Sequence, residues 1–319
     1  MLTNQPLTKF RIGFIGSGNM ARAHAHAFRN MPGVELVGVH SKTSEKTKSF
    51  ANEHGIQLVC SSVKELFQLA KPDMVVIAIS ELSLKDICTQ AFIYPWMLLI
   101  EKPVGINLDE ANDIFDMARR KGAIAYVALN RRHYGSTRGV LQENLHFPGK
   151  RLVQVYDQED PLSALREGRP EKVVSNWMYA NSIHLIDYFQ LFCRGDFTSI
   201  DHLTKWGEGA AAYRLDRLNF SSGDVGIYQA IWDAPGPWAV TITTPQRKWE
   251  MRPLETAISQ SYNSRKLDFL SVDPIDHEFK PGFKYQAGEA IKALQGLPHT
   301  LPSLEDGLKT MRLIEYIYG

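Results

Sequence analysis

The 319-residue sequence predicts an α/β protein in two parts: a doubly wound parallel sheet over residues 1–130, then an α+β domain with a large, mostly antiparallel open sheet over 131–319. Three observations carry this. The first part alternates short, continuous apolar runs with longer amphipathic stretches, as strands covered on both faces by helices require. Past residue 130 the strands lengthen and alternate in polarity, joined by the turn clusters "SSGD" and "APGP", which suit antiparallel hairpins with one solvated face. A glycine-rich turn also sits between the first strand and the first helix.

Taken in order, "FRIGFIG" (Phe10–Gly16) reads as strand, Met20–Asn30 as helix, "VELVGVH" (Val34–His40) as strand and Ser44–His54 as helix. A short strand, Ile56–Val59, precedes a helix over Ser62–Ala70, the strand Asp73–Ser80 and a helix over Leu84–Phe92. "WMLLIEK" (Trp96–Lys102) is a strand, Leu108–Lys121 a helix and Ala123–Leu129 a strand. In the second part the strands fall at Lys150–Gln158, Ala210–Phe220, Asp224–Asp233, Trp238–Pro245 and Arg247–Glu255, with one strong helix, Ser182–Phe192, inside the series. The terminal helix opens with a capping box from Ser303 to Asp306 or Glu305, and can pack back on the first domain.

Composition narrows the function. With 44% hydrophobic and 22% charged residues the chain can bury real cores. Its 36 Lys and Arg against 35 Asp and Glu leave a net charge of +1, with no global field to gather nucleic acid or an anionic membrane. A small-molecule partner is expected. Cys60, Cys88 and Cys193, odd in number and far apart, read as reduced thiols rather than a disulfide framework or metal site. His24 and His26 point to different helix faces with no carboxylate partner expected, so no metal is expected. The N-terminal residues carry no basic segment followed by a long apolar one, and the expected location is cytoplasmic.

"GFIGSGNMA" places Gly16, Gly18 and Ala21 as G-x-G-x-x-A between strand and helix. Gly16 permits the tight turn, Gly18 lets backbone approach a pyrophosphate, and Ala21 allows close helix–strand packing. The phosphate then lies against free N–H groups and the positive end of the helix dipole. This reads as a Rossmann dinucleotide turn rather than a mere tight turn, with Gly16, Ser17, Gly18, Asn19 and Met20 as the expected contact residues. Ile79 and Ser80, ending the fourth strand, and Glu101 and Lys102, ending the fifth, complete the expected cofactor edge. At the end of the second strand an NAD site usually offers a carboxylate to the ribose hydroxyls. Here Ser41 and Lys42 stand there, so NADP(H) is favoured over NAD(H).

The segments "GFIGSGNMA", "KPDMVVIAIS", "EKPVGINLDEA", "ALNRRHY", "NSIHLIDYF" and "LPSLEDGLKTMRLIE" together resemble the glucose-fructose oxidoreductase/inositol dehydrogenase (Gfo/Idh/MocA) oxidoreductases along nearly the whole chain. The resemblance implies hydride transfer between a nicotinamide and a sugar, sugar nucleotide or polyol. It also implies a homodimer or homotetramer formed through the C-terminal sheet. Lys102, emerging at a strand's carboxyl end, can polarise the reacting oxygen and stabilise alkoxide charge. His184 matches the family's active-site histidine, a proton exchanger by its ordinary pKa. The family's usual aspartate four residues earlier is Ala180 here, and Tyr179 or Asn181 can substitute. Arg131 and Arg132, Trp177, Asn181, His184 and Lys102 are the expected substrate contacts, although Arg131 could instead tie the domains together. Two other readings stay open: a dinucleotide-binding sensor without turnover, and an NAD-dependent glycoside-modifying enzyme without net redox change.

Overall fold

The structure, a computed structural model, describes residues 9–206, 212–271 and 273–319. Ala210 and Ala211 of the expected strand, and the first eight residues, lie outside it. The described residues group into two units. One holds residues 9–105, Asp109–Leu129 and Phe283–Leu308; the other holds Ile106–Leu108, Asn130–Gly282 and Lys309–Gly319.

The first unit is built on six parallel strands: β1 Phe10–Ile15, β2 Val34–His40, β3 Leu58–Cys60, β4 Met74–Ile77, β5 Met97–Ile100 and β6 Ala125–Val127. Their order, β3-β2-β1-β4-β5-β6, places the reversal between β1 and β4. Every residue of β4 and β5 is buried, as continuous apolar runs foretell. The helices Ser44–His54 and Leu108–Lys121 fall where the sequence places them. Ser62–Ala70 resolves instead into an α-helical turn, Val63–Glu65, and a π-helical one, Leu66–Ala70.

A late segment completes this unit. The helix Phe283–Leu294, absent from the sequence reading, buries Phe283, Ala287, Ala290 and Ile291 in one apolar cluster with Ala21, Ala25 and Phe28 of the first helix, Asn19–Arg29. Val127 N–H donates to the Pro302 carbonyl at 2.8 Å, and Tyr126 bridges antiparallel to Ser303, so the edge beside β6 is covered.

The second unit carries eight strands: β7 Leu152–Glu159, β8 Phe197–His202, β9 Ala212–Phe220, β10 Val225–Trp232, β11 Ala239–Thr243, β12 Arg247–Met251, β13 Ile258–Ser261 and β14 Asp268–Phe269. In the order β14-β13-β12-β11-β7-β10-β9-β8 all neighbours are antiparallel except β7 and β10, which run parallel from Val225 beside Leu152 to Trp232 beside Glu159. The buried positions of β7 are Val153, Val155, Asp157 and Glu159, facing the helix Ile183–Phe192. That helix follows a π-helical turn, Met178–Ser182. The capping box of the last helix, Leu304–Tyr318, settles on Asp306: its Oδ2 accepts from Ser303 N and Oγ at 2.8 and 2.7 Å, and its N–H donates to Ser303 Oγ at 3.1 Å. Among the described residues no helix is long and apolar enough to cross a membrane.

Candidate functional site

In the first unit the two motif glycines do different work. Gly16 has φ +111°, and a Cβ there would meet the Ala78 carbonyl oxygen at 2.0 Å, so the β1–β4 junction itself excludes a side chain. Gly18, capping the first helix, has φ −82°, and a Cβ there would meet nothing within 4 Å. Nothing in the fold demands glycine at 18. The open space beside it fits a dinucleotide pyrophosphate laid on the helix N-terminus, where no acidic residue occupies the first turn. Ser17 is buried, and its carbonyl accepts from Arg22 Nη1 at 2.6 Å, fixing the turn. Asn19 and Met20 begin the helix. Ile79 stands beside Gly16, and Ser80 caps the turn Glu81–Ser83.

At the end of β2, Ser41 is partly buried and Lys42 exposed, its Nζ donating to Ser83 Oγ at 3.0 Å. The cation thus lies beside the turn that follows β4.

Glu101 and Lys102 leave the end of β5, and the Lys102–Pro103 bond is cis. Glu101, 8% exposed, receives a hydrogen bond from His24 Nε2 at 2.8 Å, and the His24 ring lies 4.6 Å from that of Phe283. This corrects the expectation that His24 has no carboxylate partner: the two residues are 77 positions apart, beyond any local pattern. The bond ties the first helix to the strand end that carries Lys102, which is partly buried.

In the second unit, Trp177 Nε1 and Asn181 Nδ2 donate to the same oxygen, Glu159 Oε2, at 2.6 and 2.7 Å. Glu159 lines a cavity of about 350 Å³ together with Trp177, Asn181 and Trp238. Two residues back on the same strand face, Asp157 Oδ2 accepts from Tyr228 OH at 2.6 Å, and Tyr228 OH lies 2.8 Å from Tyr318 OH. Burial pushes the Glu159 carboxyl up to about 10, helped by the neighbouring Asp157 charge, and burial raises Asp157 as well. Sequence reasoning passed over both acids. The signal was present, since Asp157 and Glu159 continue the inward phase of Val153 and Val155, but the expected strand stopped at Gln158.

The other expected residues are distributed as follows. Arg132 makes a bidentate pair with Asp187 at 2.7 and 2.6 Å, so its fork is engaged inside the unit, and Asp187 also accepts from Thr310. The Arg131 guanidinium lies 4.2 Å from the Trp238 ring centroid and lines a second cavity, of about 440 Å³, with Arg252. Tyr179 is buried and its hydroxyl donates to Glu315. Ala180 packs with Ile106, Val173 and Trp177, so this position is apolar in its surroundings as well as its side chain. His184 is partly buried on the first turn of its helix.

A six-stranded parallel sheet with this turn at its strand reversal defines a dinucleotide-binding domain of the Rossmann class. Residues 10–129 match the model of the Gfo/Idh/MocA oxidoreductase family with NAD-binding Rossmann fold, so this part of the chain is similar to the nucleotide-binding domain of that family. Over 123 residues, 39% of this chain and 34% of the relative, it is 32% identical to glucose-6-phosphate 3-dehydrogenase of Bacillus subtilis (strain 168). The chain thus spans about a third of the length of the curated relatives it matches. At the level of fold it is similar to UDP-N-acetylglucosamine 3-dehydrogenase from Acidithiobacillus ferrooxidans, with TM-score 0.78 and 16% identity over 97% of this chain and 96% of that one. It is similar also to levoglucosan dehydrogenase solved with NADH and levoglucosan, with TM-score 0.77 and 16% identity over the same shares.

Proposed function

We propose that the protein is an NAD(P)-dependent oxidoreductase that interconverts a CH–OH group and a carbonyl on a sugar, sugar nucleotide or polyol, with NADP(H) preferred. The observation that carries this reading is Gly18, a glycine the fold does not need, at a helix N-terminus whose sheet also delivers Lys102. When bound, the nicotinamide supplies the hydride acceptor or donor. Gly16 to Met20 hold the pyrophosphate, and Ser41 and Lys42 receive a 2′-phosphate as hydroxyl donor and cation. Lys102 stabilises negative charge on the reacting oxygen. His184 exchanges the proton, with Tyr179 and Asn181 as further hydrogen-bonding groups. Trp177, Asn181 and Arg131 contact substrate. The carbohydrate class draws support from the relatives named for sugar dehydrogenation.

The test is nicotinamide absorbance at equal enzyme and varied substrate across neutral sugars, polyols, sugar phosphates and sugar nucleotides. A stoichiometric absorbance change with one class supports the reading. Cofactor binding with no turnover of any class would point to a sensor, and substrate conversion without net absorbance change to a non-redox use of the cofactor.

A further inference from the structure

We infer that the cavity of about 350 Å³ in the second unit is a recognition site for an uncharged, polyhydroxylated ligand, and that Glu159 is the positioning residue that fixes its Trp177 and Asn181 wall. The ligand class rests on the carbohydrate reading above; the wall and its test do not.

The wall is held from behind. Glu159, 2% exposed, spends Oε2 on two donors, the Trp177 indole and the Asn181 amide. Its Oε1 and Asp157 Oδ1 are both buried with no hydrogen-bond donor among the described residues. Two carboxyl oxygens in that situation are compatible only if a proton lies between them, since neither can donate while ionised. Glu159 therefore carries the proton and donates it to Asp157, which also accepts from Tyr228. The groups facing the pair are Trp177, Asn181 and Ser182 from the segment before the helix, Tyr228 from β10, Tyr318 from the last helix and the Arg131 charge. With the proton in place the pair carries one negative charge, not two.

The ligand-facing chemistry follows. The Trp177 N–H is spent on Glu159, and the Trp238 N–H donates to the Gln158 carbonyl at 2.5 Å, so both indoles offer the cavity carbon surface for the C–H face of a ring. Asn181 keeps its carbonyl oxygen for a ligand hydroxyl. Besides Glu159, the acidic and basic side chains lining the cavity are Asp160 and Glu167 against Arg169. Counted with the single negative charge behind the wall and the Arg131 cation that faces it and stacks on Trp238, the balance stays negative, which disfavours a phosphate or carboxylate and leaves a neutral polyol unopposed.

The experiment titrates the intact chain by tryptophan fluorescence with glucose, levoglucosan and sorbose, and with glucose 6-phosphate as the charged counterpart. The expected result is saturable binding of at least one neutral probe, at least tenfold tighter than glucose 6-phosphate. In E159Q the amide oxygen still accepts from Trp177 and Asn181 while the NH₂ donates to Asp157, so affinity should stay within about threefold and lose its fall between pH 8 and 10.5. E159L and N181A should each lose tenfold or more. Infrared spectra at pH 8 should show a neutral-carboxyl C=O band that E159Q removes. No neutral probe bound, tighter binding of glucose 6-phosphate, E159Q as impaired as E159L, or no such band would overturn the inference. Failure of hydride transfer alone would not, because none of these readouts requires turnover.

Discussion

At single residues the structure separates the glycine that folding needs, Gly16, from one that it does not, Gly18. Gly18 has ordinary backbone angles and empty space around its missing side chain, so G18V should fold normally while dinucleotide affinity falls by two orders of magnitude or more. Fluorescence titration beside a urea melt checks both halves; unchanged affinity would reduce the turn to a structural one. Lys102→Met, if the lysine faces developing charge, should preserve cofactor affinity and lower turnover by roughly a hundred- to a thousandfold. H184N should cost less, about tenfold to a few hundredfold, because water can relay the proton. Reversal of that order would move the chief chemical role to the histidine. Glu159 makes a prediction of the opposite kind, on stability. Its carboxyl titrates near 10 in the folded chain against 4.5 ordinarily, so the folded state keeps a proton that the unfolded chain releases. The stabilisation is whole below the ordinary carboxylate range and is lost as pH rises toward 10, by at most about 1.4 kcal/mol per pH unit. The urea midpoint should therefore be lower at pH 9 than at pH 6 in the wild type, and this difference should shrink in E159Q.

At the scale of elements, β1 and β4 approach so closely at Gly16 that G16A should destabilise by about 3 kcal/mol or more, from a Cβ driven into the Ala78 carbonyl at a left-handed φ. Thermal melts check this, and a mild effect would mean that the junction can spread. Lys42→Asp should narrow or reverse a preference for NADPH over NADH, since a carboxylate repels a 2′-phosphate. Parallel strands were the most legible part of the sequence: β2 and the helices Ser44–His54 and Leu108–Lys121 fall on their expected bounds because each apolar run has one structural use. The helix Gly135–Asn144 was not legible, since glycines at 135 and 139 argue against it and only tertiary packing overrides them. Nor was the parallel pairing of β7 with β10, which no local pattern encodes. In the candidate site, the glycine turn stands out in the sequence by its spacing and the "EKP" stretch by the charges that end an apolar run and by the family resemblance. The His24–Glu101 and Asp157–Glu159 partnerships did not, the first for its long separation and the second because acids inside a strand read as solvent-facing until a structure buries them.

At the scale of the molecule, the first unit closes its core only with residues from the other end of the chain. Phe283, Ala287, Ala290, Ile291 and Leu301 lie in the same apolar cluster as the first helix. Full burial of the three larger ones contributes roughly 1.5–3 kcal/mol each, a sum comparable to a domain's whole net stability of about 5–15 kcal/mol. A fragment covering residues 1–130 should therefore lack a cooperative urea transition, and joining residues 283–308 to it through a flexible linker should restore one. A sharp transition in the short fragment would mean that its own helices suffice. The same interleaving sets a timetable for a nascent chain. About 180 residues separate the last strand of the first sheet from Leu308, so at about 5–20 residues per second a ribosome takes roughly ten to forty seconds to deliver the missing wall. Throughout that interval the greasy flank of the first helix stands open to the cytosol of whatever cell makes it, and chaperone capture during translation should concentrate there.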